Sequence, residues 1–145
     1  MAERQNIDFA SAANIKTSSK PGTAMNIVLW IVQILLAALF IFGGVFKLRA
    51  PIEEMTKQMP AMPGMFLRFI GACETLGGLG LILPGLLRIQ KGLTPLAAIG
   101  LTIITVGATV VTIVAGLGAM AAFPFVTALL CFFIAYGRRS DLIGN

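Results

Sequence analysis

The chain has 145 residues, of which 57% are hydrophobic and only 12% charged, about half the charged share of roughly 25% in soluble domains. With a mean hydropathy of +0.92 it has too little charge to cover a soluble surface, and one membrane domain fits the length. The net charge of +5 flanks apolar runs and forms no stripe with exposed aromatics, which argues against nucleic acid as a partner; the lack of histidine excludes His-ligated haem, His-based zinc sites and a Ser-His-Asp triad.

Residues 1–24 are polar and small, a composition that reads as a flexible tail. The apolar run that follows is too long for the core of a signal peptide. The first span covers about residues 25–46, with Trp30 near its start, Gln33 as its interior polar residue, and Lys47 and Arg49 as its stop. Some 20 apolar residues at 1.5 Å each give roughly 30 Å, the thickness of a hydrocarbon core. The next loop holds Met55, Met59, Met62 and Met65. It reads as an amphipathic segment on the membrane surface, or as a set of soft thioether donors for Cu(I).

The second span covers about residues 65–83. It is the least apolar, carrying Arg68 and Glu74 among several glycines, and Pro84 and Gly85 end it. The third covers about residues 93–114 and contains Thr102, Thr105, Thr109 and Thr112; the fourth covers about residues 119–136, with Arg138 and Arg139 as its stop. The short link between them makes an antiparallel hairpin. The apolar runs are continuous, not alternating, which argues against a membrane barrel. The expected fold class is therefore all-α: a polytopic membrane protein, a four-transmembrane-helix bundle over residues 25–137, followed by a short C-terminal tail at 138–145. Seven basic residues (Arg4, Lys16, Lys20, Arg88, Lys91, Arg138, Arg139) fall on the side of the termini and four (Lys47, Arg49, Lys57, Arg68) on the other, so both termini are expected to be cytoplasmic.

Glu74 is the first candidate for a functional residue. A charge at mid-membrane costs about 2.5–3.5 kcal/mol on insertion scales, and low polarity favours the neutral, hydrogen-bond-donating form of a carboxyl. Intramembrane residues of this kind mark proton, ion or ligand sites, or else bond one helix to another. Arg68 is six residues away, about 9 Å along the axis and on another face, and is expected to snorkel outward. Lys47 belongs to the same outer interface and reaches Glu74 only by helix tilt or a long side-chain reach. Counting depth instead, Gln33, Glu74, Thr102 and Thr127 fall about 11–14 Å from the cytoplasmic boundary, with Thr105 one turn further out. A mid-membrane polar layer of these residues is expected. Gly71, Glu74 and Gly78 share one face, which reads as a packing seam. The threonines of the third span either line a polar path or bond their own backbone. Cys73 points about 100° away from Glu74 and has no CxxC partner. No nucleophile with a base, paired intramembrane carboxylates or nucleotide loop is present, so no catalytic residue is assigned.

Several segments resemble one family. They are Gly71-Ala72-Cys73-Glu74-Thr75-Leu76-Gly77-Gly78-Leu79-Gly80-Leu81-Ile82-Leu83-Pro84, Phe42-Gly43-Gly44-Val45-Phe46-Lys47-Leu48, Leu93-Thr94-Pro95-Leu96-Ala97-Ala98 and Tyr136-Gly137-Arg138. Together they resemble the DoxX-like family of small four-helix integral membrane proteins, over about residues 26–139. The resemblance implies four transmembrane helices in a bacterial inner (plasma) membrane. The family's namesake is a small subunit of a thiosulfate:quinone oxidoreductase, which implies an accessory subunit of a quinone-linked membrane redox system, not an enzyme on its own. Quinone is the one cofactor so implied. The implied partners are the lipid bilayer and a membrane redox protein or a second copy in a homo-oligomer. Many relatives carry a histidine near the end of the third helix, where this sequence has Thr112. Two other readings stand beside this one: a non-enzymatic assembly or scaffold protein, and a small carrier or channel using Glu74 and the threonine stripe.

Overall fold

In lipid every backbone N–H and C=O must find its partner within the chain, so long apolar runs without a breaker close into helices. The computed structural model describes residues 22–143 and follows this rule. Helix α1 spans Thr23–Arg49, α2 Ile52–Gln58, α3 Gly64–Leu87, α4 Leu93–Val114, a 3-10 turn Gly118–Ala121, α5 Ala122–Gly137 and α6 Arg139–Ile143. Among the described residues there is no strand. Four helical segments are long and apolar enough to cross a membrane: α1, α3, α4 and the 3-10 turn with α5. The polar tail expected over 1–24 lies, up to residue 21, outside the described residues, as do residues 144 and 145.

The helices pack as two close pairs, α1 with α3 and α4 with α5, joined mainly by α3 against α4. Their inner faces supply Leu29, Leu36, Ala37, Phe40, Leu81, Ala98, Leu101, Cys131 and Ile134. The outer faces are just as apolar: Leu35, Phe42, Leu76, Ile103 and Phe132 are all exposed. Helices that are apolar all round belong in hydrocarbon. Small residues set the α1–α3 approach. A Cβ on Gly44 would collide with the Thr75 hydroxyl and the α3 backbone, and one on Gly78 would lie 3.0 Å from the Ala37 carbonyl oxygen. The start of α1, the 88–92 loop and α6 form the proximal end of the bundle; α2 and the 3-10 turn form the distal end.

Three boundaries differ from those read in the sequence. Helix α1 continues through Lys47 to Arg49, so both basic residues lie in its last turn. Helix α3 runs through Pro84 to Leu87. A proline so near a helix end removes a single ladder bond, and the actual stop is Arg88, in the left-handed conformation at φ 54°. The Ile89 N–H also reaches the Pro84 carbonyl, at 3.1 Å. Part of the expected C-terminal tail is helical, as α6.

Candidate functional site

Glu74 sits in the middle of α3 and points into the bundle, only 8% exposed. Its partner is Lys47, whose Nζ donates to both carboxylate oxygens at 2.7 Å. The extra turn of α1 makes this contact. Lys47 belongs one turn nearer the distal end than Glu74, and its stem crosses α3 over Gly71. A Cβ there would come within 2.9 Å of the Lys47 Cβ and 3.0 Å of the Gly44 carbonyl oxygen. Gly71 is thus a notch that lets the lysine stem descend to the carboxylate. The pair is uneven: the Lys47 side chain is 37% exposed and that of Glu74 11%.

The pair faces a cavity of about 590 Å³ between α1, α4 and α5, lined by Phe40, Thr105, Thr112, Phe123 and Thr127 among others. Gln58 and Met59 from the end of α2, with Leu117 and Met120 around the 3-10 turn, line its distal side. Leu39, Met120 and Phe123 line the cavity and are also exposed on the outside of the bundle, so it borders lipid. A second cavity of about 370 Å³ touches the same ion pair from the α3–α4 side, lined by Met62, Phe66, Cys73 and Val111. Glu74 and Lys47 therefore border both spaces.

Of the residues grouped in the expected polar layer, Glu74, Thr105 and Thr127 line one cavity. Gln33 and Thr102 do not, and the layer needs correction there. Trp30 lies against Gly85 and Gly44 against Gly71, a register that puts Ile41 opposite Glu74. Gln33 is then eight residues, roughly 12 Å, nearer the proximal end. Its Nε2 donates to the Leu81 carbonyl at 2.9 Å and its Oε1 accepts from Arg138 Nη2 at 2.9 Å. Thr102 is near the right depth but faces away, into a shallow space with Phe132 and Tyr136. Helix α1 overhangs the proximal end of α3 by about a turn, so equal distances from the ends of two apolar runs are not equal depths.

Four threonines of α4 donate to carbonyls of their own helix: Thr102 to Ala98, Thr105 to Leu101, Thr109 to Thr105 and Thr112 to Ala108, at 2.7–2.8 Å. Thr127 does the same to Phe123 at 2.8 Å. These hydroxyls present acceptor lone pairs to the cavity while their protons stay on the helix. Lys47 is a mobile donor in the cavity, beside the Gln58 amide: two of its three protons go to Glu74, and the third is free to meet an acceptor. The sequence gives weak signals for Lys47, which reads as a stop residue, and none for Gln58, whose place over the cavity depends on the path of α2. The loop methionines diverge: Met59 and Met62 line cavities, while Met65 is 74% exposed. Among the described residues no cluster of His, Cys, Asp or Glu has metal-binding geometry.

A family model matches residues 31–134, that of the DoxX-like family. No curated protein and no solved structure matches the chain.

Proposed function

The chain belongs to the DoxX-like family, and from that premise we propose that it is an accessory membrane subunit of a quinone-linked redox system, binding a quinone head group in the cavity beside Lys47 and Glu74. The observation that carries this reading is an ion pair with one uncommitted ammonium proton, at the wall of a largely apolar space of about 590 Å³. Ligand sites of 300–1,000 Å³ with a few convergent polar groups are the usual form of small-molecule pockets, and helix bundles build theirs between facing helices. Lys47 would donate to a quinone carbonyl, and Glu74 or the lone pairs of Thr105 and Thr127 would accept from the hydroxyl of the reduced form. The chain's own residues bind and orient; electrons come from a partner redox protein. The proposed setting is a bacterial inner membrane with both termini cytoplasmic. The pairing of Lys47 inside the bundle supports this orientation, because it removes one basic residue from the distal count.

The test is extraction of bound small molecules from protein purified in native lipid, comparing wild type with Glu74→Gln and Lys47→Met. Stoichiometric quinone in the wild type, depleted in Lys47→Met, is the expected result. Equal quinone in all three forms, at the level of the surrounding lipid, would remove the site from this cavity.

A further inference from the structure

A separate polar cup lies at the proximal end, roughly 12–22 Å from Glu74 at 1.5 Å per residue of α1. It encloses about 340 Å³ and is lined by Asn26, Trp30, Gln33, Gly85, Arg88, Lys91, Thr94, Arg138 and Asp141. Three cations and one carboxylate meet there. Arg138 is held deepest: Nη2 donates to Gln33, its guanidinium lies 5.5 Å from the Trp30 ring centroid, and Nη1 is 3.7 Å from Asp141. Its Nε is buried with no hydrogen-bond partner. Among the described residues Arg88 and Lys91 make no ion pair.

The backbone adds an independent observation. Arg88 closes α3 in the left-handed conformation at φ 54°, and Gln90 follows at φ 41°. Glycine is the residue that fits such a helix stop without strain. An arginine there means that the loop carries its side chain to the cup at a cost in backbone strain, a pattern associated with ligand sites.

We propose that this cup binds the phosphate of an anionic phospholipid head group. Arg88 and Lys91 supply mobile charge at the rim, and Arg138 supplies a fixed guanidinium behind them. The cup sits at the end of the spans, where head groups lie, and beside Trp30, an aromatic of the interfacial type. Leu86, Leu87 and Ile89, flanking Arg88 in the chain, are all more than half exposed and offer an apolar surface for acyl chains. Basic pockets between helices are a general means of holding such head groups.

The experiment uses the full chain in nanodiscs of phosphatidylcholine doped with phosphatidylglycerol, reading retained lipid by native mass spectrometry. A parallel series adds inorganic phosphate to phosphatidylcholine discs and reads thermal stabilisation. Each basic side chain near the surface contributes about fivefold in affinity, so Arg88→Gln with Lys91→Gln should lower the preference for phosphatidylglycerol by roughly 25-fold. The charge-matched pair Arg49→Gln with Lys57→Gln, at the distal end, should leave it within about twofold. Equal losses in the two double variants mean diffuse attraction and overturn the site. Full retention in Arg88→Gln/Lys91→Gln overturns it as well. Stabilisation by millimolar inorganic phosphate equal to that by the lipid overturns the lipid assignment in favour of a soluble phosphate compound.

Discussion

Replacing Lys47 by methionine keeps the stem over Gly71 and removes the charge. Breaking a buried ion pair by deleting one member costs about 3–5 kcal/mol, because the other charge is left without compensation. The Lys47 side chain is 37% exposed, so water already screens part of the interaction, and the loss is reduced to about 2 kcal/mol. Glu74→Gln leaves the opposite residue behind. A lysine near the end of its helix can swing outward and keep its charge in water, so this variant loses about 1 kcal/mol or less. The double variant replaces the pair by an uncharged couple and should recover most of the deficit, since apolar or neutral substitutes for buried ion pairs are often neutral in stability. The resulting coupling energy is about 2 kcal/mol. Reversible unfolding in mixed micelles reads all three, with the single tryptophan, Trp30, as the probe of α1 against α3. Additive losses in the double variant, or a larger loss for Glu74→Gln than for Lys47→Met, would refute the pairing and its asymmetry.

Adjacent glycines should respond oppositely. Gly44→Ala forces a methyl into the Thr75 backbone nitrogen, 2.8 Å away, and should cost about 1–3 kcal/mol as an overpacked contact; Gly43→Ala meets nothing within 4 Å and should be neutral or gain up to about 1 kcal/mol from helix propensity, both read by the same unfolding assay. Arg88→Gly relieves the left-handed backbone and should raise stability by about 1 kcal/mol while weakening retention of phosphatidylglycerol, a combination that a merely structural arginine does not produce. Cys73 lines the α3–α4 cavity and Cys131 is fully buried, so a maleimide should label only Cys73 in the folded protein in mild detergent, with Cys131 reacting after unfolding; equal rates for the two thiols in the folded state would contradict the packing.

The four spans were legible because hydrocarbon leaves a continuous apolar run little choice of structure. Glu74 was legible for the complementary reason, as a charge where charge is expensive. Its partner was not. Depth counting assumed flush helix ends and a lysine that stays at the interface, and it carries no information about which way a residue faces. The overhang of α1 moved Gln33 two turns from Glu74, and the rotation of α4 turned Thr102 away while leaving Thr105 on the cavity. The sequence offers Gly71 as a place for close approach, but that the gap admits a lysine stem depends on the angle between two helices, which no local pattern encodes. Pro84 misled for a related reason: a stop signal near a helix end is weak, and the left-handed Arg88 decides the boundary.

The pairing of Lys47 with Glu74 also bears on how the bundle enters the membrane. Of the four spans α3 is the least apolar, and alone it would have to carry Glu74 into hydrocarbon unaided. Synthesis delivers α1 first, so the ammonium of Lys47 waits at the distal side when α3 leaves the ribosome. The lysine that ends the first helix is thus placed to serve as an insertion partner for the third, with the close approach at Gly71 leaving room for its stem.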